Sequence, residues 1–445
     1  MKIKLSKGLN LPIAGAVEAL EPREVRVGKV AVIPDDYPGF VAKVDVAPGD
    51  VVAAGDPLMH DKNHPQTRLV APVAGRVSAV ERGERRRLLK VEIEAEGDAA
   101  RTFDCVCKDA AAAMNLLAES GMLALMRQRP YDIVPSPDVA PRDIFVSAIY
   151  SSPLELPLRA RIAEADKPAL DAAAAFLAGI TKGKVYISRN SEWTFGDVAG
   201  AEMVDVEGPH PAGNPGVQAA NIRPVDKGDV VWTMDVETLL RIGRLLRAGR
   251  IDGNATVAVC GPAICHPYVA RTVMGADVAP LLKAAGPADD GRHHRVISGN
   301  VLVGEKIDPS AGYLHYPYRQ LTVIDEGDDV DEFMGWASVS PSKMSTKRSF
   351  PGHFLHRLFR PDARLLGGRR AMILSGEYDR MMPMDVMPEY LLKAIMSHDI
   401  DNMERLGIYE VAPEDFALAE YADTSKLPLQ RIVREGLDYF RKETE

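Results

Sequence analysis

The chain has 445 residues, of which 46% are hydrophobic and 26% charged, with a formal net charge of −9. That length exceeds one ordinary core and predicts about three or four domains. The composition excludes a disordered chain, and the acidic balance without a basic block excludes nucleic-acid binding, which needs clustered Lys and Arg against phosphates.

No apolar run approaches the roughly 20 residues that span a bilayer. Residues 1–15 are strand-like and lack the apolar stretch of a secretory signal. The expectation is a soluble, cytoplasmic chain whose membrane link, if it has one, runs through a partner. The acidic balance also argues against a polybasic grip on anionic lipid. The four cysteines, Cys105, Cys107, Cys260 and Cys265, form no CxxC pair. Neither a disulfide framework nor an iron–sulfur cluster is expected from that spacing.

Residues 39–94 read as all-β. Short Val, Ile and Leu runs alternate with the turn signals Ala47-Pro48-Gly49-Asp50, Ala54-Gly55-Asp56-Pro57 and Pro72-Val73-Ala74-Gly75, where Gly and Asp suit tight reversals. From about Met114 strands alternate with helices. Strands are predicted at 143–149, 183–189, 229–234 and 255–260, and helices at 164–180 and from Asp235 onward. Asp235 is the expected N-cap of the second helix, and Gly249 lies near its end. The alternation implies a largely parallel sheet. Residues 261–323 predict a small β-rich unit with strands at 295–298 and 301–303 and a helix at 278–285. The end is helical. Pro388, Pro413 and Pro428 each open a helix, since a first-turn proline loses no hydrogen bond. Leu429, Ile432, Val433, Leu437 and Phe440 make an apolar stripe at 3–4 spacing, which packs on the protein's own core or on a partner.

The motifs that carry chemistry are sparse. The string from Val46 to Leu58, then Ala71-Pro72-Val73-Ala74-Gly75-Arg76-Val77, resembles biotinyl/lipoyl domains. Lys62 is the candidate carrier lysine, but ten residues separate it from Pro72, which displaces it from the hairpin tip; a scaffold without the prosthetic group is expected. There is no GxGxxG opening a helix and no GxxxxGK[ST]. The nearest ligand loop is Gly208-Pro209-His210-Pro211-Ala212-Gly213-Asn214-Pro215-Gly216, placed where α/β folds hold ligands; a rigid structural loop is the competing reading. His353 and His356, and His293-His294, lack a third metal ligand in sequence. The acidic run Asp325, Glu326, Asp328, Asp329, Asp331, Glu332 lacks the pattern of a calcium loop. No nucleophile elbow is present. No catalytic residue and no metal site are expected.

Several segments nevertheless occur in a familiar order: residues 3–15, Asp61-Lys62-Asn63, Arg127-Gln128-Arg129-Pro130-Tyr131, Gly208-Pro209-His210-Pro211-Ala212-Gly213, Val231-Trp232-Thr233, Arg271-Thr272 with Gly275-Ala276, Arg295-Val296-Ile297-Ser298-Gly299, Phe333-Met334-Gly335-Trp336 and Met382-Pro383-Met384-Asp385. Collinear from residue 3 to about residue 415, they resemble the NqrA family of the sodium-translocating NADH:quinone reductases. The resemblance implies an α/β multidomain protein. Its parts would be a lipoyl-like barrel-sandwich hybrid (1–110), a Rossmann-like α/β domain (111–260), a small β-grasp (SLBB-like) domain (261–330) and a helical end (331–445). It implies a peripheral subunit on the cytoplasmic face of the bacterial inner membrane, docked on the membrane-embedded NqrB subunit. The complex would oxidise NADH, reduce a quinone such as ubiquinone and export sodium, with NADH, flavins and iron–sulfur on other subunits and no cofactor on this one. His210, Gly213, Trp336 and Phe350 are the candidate quinone-proximal residues. The alternatives are a lipoyl- or biotinyl-type carrier and a degenerate flavin/NADH-binding dehydrogenase subunit. One departure stands out: where other members carry a Cys and a Pro-Gly-Lys segment, this chain has Glu420-Tyr421-Ala422-Asp423-Thr424-Ser425-Lys426, so no thiol role carries over. The clustered cysteines of the related RnfC subunit of the Rnf electron-transfer complex are also missing, which excludes that relative.

Overall fold

The computed structural model describes residues 1–286, 288, 290–328, 341–346, 351–355, 357–365 and 367–444. Trp336, Phe350 and His356, singled out above, lie outside the described residues.

The α/β part is a six-stranded sheet. Its parallel strands Asp143–Ser147, Val185–Arg189, Glu202–Glu207 and Val231–Asp235 stand in the spatial order third, second, first, fourth. Alternation along the first strand assigns its two faces. Ile144 and Val146 pack in the core shared with the helices Lys167–Ala178 and Val236–Ala248, while Phe145 faces the other core, with Val217 and Ala219 of the helix Pro215–Ile222. Helices therefore cover both faces, as a parallel sheet requires.

The sheet departs from the sequence reading in two places. Glu202–Glu207 was not predicted, because Glu202, Asp205 and Glu207 interrupt its apolar residues. It is instead completed at its outer edge by Lys2–Lys4, which pairs parallel to it in the register Ile3↔Val206 and sets Lys2 Nζ 3.0 Å from Glu207. The strand predicted at 255–260 as a fourth member does not belong here. Asn254–Cys260 lies in the other six-stranded sheet, between Tyr268–Val273 and Gln320–Asp325. A buried apolar strand reads alike in either sheet.

That second sheet also holds His294–Ser298, Glu305–Ile307 and, at its edge, Pro22–Glu24. The helix Val278–Ala285 is present as predicted. Residues 301–303 are a turn rather than a strand: Asn300 Oδ1 accepts from the N–H groups of Leu302 and Val303 at 2.8 and 3.1 Å, a local bond that outcompetes sheet pairing. The barrel-sandwich part has a four-stranded and a three-stranded sheet. After them the helix Ala110–Glu119, capped by Asp109, leads into the α/β part.

The C-terminal helices Pro388–Met396, Ile400–Arg405, Ala417–Ala422 and Leu429–Thr444 close the core on the Phe145 face. Leu429, Val433, Leu437 and Phe440 are fully buried there, so the predicted stripe is the protein's own core. The segment 420–426 is organised by Asp423. Its buried carboxylate accepts from Tyr378 Oη at 2.8 Å and from the backbone N–H of Ser425 and Leu427 at 2.9 and 2.8 Å. Among the described residues no helix is long and apolar enough to cross a membrane.

Candidate functional site

The strand order reverses at Asp143–Ser147: the chain leaves this strand for Val185–Arg189 through the helix Lys167–Ala178 on one face, and comes back to its other side at Val231–Asp235 through the helix Pro215–Ile222 on the opposite face. In such sheets the crevice beyond the carboxyl ends of those two strands is where ligands bind. Here that crevice is a cleft of about 460 Å³, with Ser147, Tyr150, Gly213, Asn214, Asp235 and Thr238 on the α/β side. The second sheet contributes Tyr316, Pro317, Tyr318 and Arg319, the barrel loop Asp36, and the C-terminal helices Glu414 and Arg434.

The far wall is held rigidly. Tyr316 stacks on Tyr37 with ring centroids 5.3 Å apart and planes 3° from parallel. The Arg127 guanidinium lies over the Tyr316 ring at 5.5 Å. Asp36 ties the same segment down, 2.7 Å from His315 Nδ1 and accepting from Tyr316 N at 2.9 Å.

The floor is an ion-pair network. Asp235 caps the helix Val236–Ala248 by accepting from Thr238 N at 2.7 Å, as the sequence predicts, and also pairs with Arg319. Glu237 bridges Arg319 and Arg161 at 2.6 and 3.2 Å. Burial pushes the Arg319 guanidinium down to about 10, still charged at neutral pH. The first strand is followed by a long connection from Ala148 to Asp166, irregular except for the 3-10 turns Leu158–Ala160 and Glu164–Asp166, before its helix begins. No glycine-rich turn therefore joins strand to helix at the crevice, and the helix start that does face it is capped by Asp235. Carboxylates at that spot oppose the usual use of such a terminus for phosphate.

Two donors on this wall lack hydrogen-bond partners. Tyr150 Oη and Arg161 Nη2 are buried and make no hydrogen bond in the protein; the nearest carboxylate to Arg161 Nη2 is Glu155, at 3.8 Å. The Arg161 guanidinium stacks 4.2 Å from the Tyr150 ring centre. Burial, and then Glu237, raises the Tyr150 hydroxyl well above its ordinary value, so it stays protonated.

Of the residues singled out in sequence, Gly213 lines the cleft and His210 stands behind it. Ser151 Oγ accepts from Gly213 N at 2.9 Å and shares a hydrogen bond with His210 Nδ1, 3.1 Å away. His210 N donates to Asn10 Oδ1 at 2.8 Å. A Cβ on Gly213 would come within 2.6 Å of Ile149 O, so only glycine lets the loop lie on the strand end. Tyr150, Arg161 and Arg319 were not singled out. A signal existed in Tyr316-Pro317-Tyr318-Arg319-Gln320, an aromatic cluster running into a strand, but Tyr150 and Arg161 look like ordinary loop residues until the fold assembles them.

His210 is 4% exposed, and burial pushes its imidazole down to about 4. Its folded value lies below the unfolded one, so the folded state binds fewer protons. Stability is full above about pH 6.5 and is lost as pH falls toward 4. Acidifying from pH 7.5 to 5 costs about 2 kcal/mol through this group alone. Denaturation of the wild-type chain and His210→Asn at both pH values measures it: the penalty of the substitution shrinks by about 2 kcal/mol at pH 5. An equal penalty at both pH values contradicts the assignment.

Three family models match the chain: the NqrA N-terminal barrel-sandwich hybrid domain over residues 3–96, the NqrA second alpha/beta domain over 108–251 and the NQRA C-terminal (SLBB) domain over 256–308. Among curated relatives, the NqrA subunit of the Na(+)-translocating NADH-quinone reductase of Pasteurella multocida is 34% identical over 452 aligned positions, covering 99% of this chain and 100% of that protein. The corresponding proteins of Neisseria meningitidis and Serratia proteamaculans are each 34% identical, over 99% of this chain and 100% of their own length. A solved NAD+-reducing [NiFe]-hydrogenase overlaps 75% of this chain and 62% of its own at 14% identity and a TM-score of 0.37, too loosely to bear on the site. With the whole chain aligned to whole relatives, this protein belongs to the NqrA family of the Na(+)-translocating NADH-quinone reductases.

Proposed function

We propose that the chain is a peripheral subunit of a Na(+)-translocating NADH–quinone oxidoreductase, docked through the membrane-embedded NqrB subunit on the cytoplasmic face, and that its cleft receives a quinone head. NADH, flavins and iron–sulfur are then handled by other subunits. The observation that carries the ligand reading is the pair of donors without hydrogen-bond partners, Tyr150 Oη and Arg161 Nη2, on the wall of a cleft faced by Tyr316 and Tyr318. A quinone head offers two carbonyl acceptors, no donor and a flat apolar ring, which suits apolar walls with a few placed donors. The carboxylate of Asp235, which lines the cleft at the start of the helix Val236–Ala248, disfavours a phosphate-bearing nucleotide in the same place. A carrier role for Lys62 has less support. Its hairpin is tied down by Lys62 N donating to Val41 O at 2.8 Å and by His64 lying 3.1 Å from Asp138, whereas a carrier arm needs a free tip.

The test is Tyr150→Phe in the assembled complex. The substitution removes one hydroxyl and keeps the ring under Arg161. The KM for quinone rises about three- to tenfold, the equivalent of one neutral hydrogen bond, while NADH oxidation by a water-soluble acceptor is unchanged. An unaltered quinone KM discards the cleft as the quinone site.

A further inference from the structure

Away from the cleft, at one end of the second sheet, the fold joins two motifs that sequence kept apart: the His293-His294 pair and the start of the acidic run at Asp325. His294 and Asp325 are direct partners in the antiparallel ladder between His294–Ser298 and Gln320–Asp325. Register therefore sets the imidazole beside the carboxylate, and Asp290 approaches from the loop before the strand. His294 Nε2 lies 3.1 Å from Asp290 Oδ1 and 3.6 Å from Asp325 Oδ1.

Both contacts are within ion-pair reach. His294 Nε2 and Asp325 Oδ1 are both buried, and neither makes a hydrogen bond in the protein. The imidazole side chain is 11% exposed. With the imidazole neutral and its proton on Nδ1, Nε2 and the carboxylate oxygen are buried acceptors facing one another, which is costly unless something sits between them. The spacing says what fits: ligand atoms held at 2.0–2.2 Å around a tetrahedral ion stand about 3.3–3.6 Å apart, close to the two separations seen. All the candidate ligand atoms lie within 4.8 Å of one another. The outer oxygen of Asp325 is already oriented: Arg292 Nη1 donates to Oδ2 at 3.0 Å, the kind of supporting bond that aims a ligating carboxylate. On Asp290 the inward oxygen, Oδ1, itself accepts from Arg292 N at 3.2 Å.

We infer that Asp290, His294 and Asp325 bind a divalent transition-metal ion of the zinc class, with a fourth position left to water. One imidazole and two carboxylates form a mixed N/O donor set that suits zinc, cobalt(II) or manganese over calcium, which takes six to eight oxygens. With a neutral imidazole the two carboxylates carry the opposite charge. The competing arrangement is an imidazolium paired with its carboxylates, which needs no metal.

The experiment uses the full, tag-free chain stripped with a chelator and titrated with cobalt(II) and with zinc(II). Calorimetry shows one equivalent of zinc bound, and cobalt(II) develops the visible bands of a four-coordinate N/O site. His294→Gln weakens zinc binding at least tenfold, and so does Asp290→Asn, a surface change that leaves the fold intact. No binding, or stoichiometric binding untouched by Asp290→Asn, overturns the inference in favour of the plain ion pair or of a site elsewhere.

Discussion

Replacing Arg129 by Met lowers the stability of the chain by about 3–5 kcal/mol, the cost of leaving a buried charge without its partner. The Arg129 side chain is 1% exposed and that of Asp415 is fully buried, with Nη1 and Oδ2 2.9 Å apart. The same Nη1 donates to Glu410 O at 2.6 Å. Asp415 is further satisfied by Ala412 N at 2.9 Å and Asn214 Nδ2 at 3.3 Å. Removing the guanidinium leaves the carboxylate with neutral donors only, in a place where water does not reach. The guanidinium also lies against the start of the helix Pro215–Ile222, since a Cβ on Gly216 would run into Arg129 Nη2. Arg129 thus joins three parts: the edge strand Arg127–Arg129, the loop that shapes the cleft, and the C-terminal helices.

The control separates the pair from the packing. Arg129→Met combined with Asp415→Leu removes both charges and recovers most of the loss, because apolar replacements of a whole buried pair are often neutral. Arg129→Lys keeps the charge without the planar fork and falls between the two. Chemical denaturation of the purified chain reads all three. A single Arg129→Met variant within about 1 kcal/mol of wild type refutes the argument, as does a double variant less stable than the single.

What could be read from the sequence follows the range of the interactions. Asp235 as a helix cap, the proline-opened helices and the stripe ending at Phe440 are local or periodic signals, and the fold keeps them. The strand at 255–260 was recognised as a strand but placed in the wrong sheet, since nothing in Val257, Val259 or Cys260 names a neighbour. Residues 301–303 read as a strand from their valines and leucine, yet Asn300 bends them. The cleft was legible only through Gly213 and the neighbouring His210, because its donors come from a loop and its opposite wall from a strand end more than 150 residues away. His294 and Asp325 were visible only as separate motifs, because ladder register, not spacing, brings them together, and Asp290 was not singled out at all.

Gly243→Ala in the helix Val236–Ala248 destabilises the chain by about 2–3 kcal/mol, although the same change in an ordinary helix interior stabilises by about 1 kcal/mol. The sign turns on one contact. A Cβ at position 243 would run into Ala169 O and stand 2.5 Å from its carbonyl carbon, so it meets backbone of the helix Lys167–Ala178 rather than a side chain that can rotate away. The two helices cross closely because Ala169, Ala173 and Ala174 are small and buried, and a methyl group forces them apart. The helix that moves begins at the cleft floor, where Asp235 and Glu237 hold Arg319 and Arg161. Loss of stability therefore comes with a higher quinone KM in the assembled complex if the cleft is the quinone site, even though residue 243 is absent from the cleft wall. Thermal denaturation checks the first effect and steady-state kinetics the second. A Gly243→Ala chain more stable than wild type shows that the helices can part without cost. Shortening residue 169 to glycine leaves its carbonyl in place and does not relieve the clash, which distinguishes a backbone contact from a side-chain one.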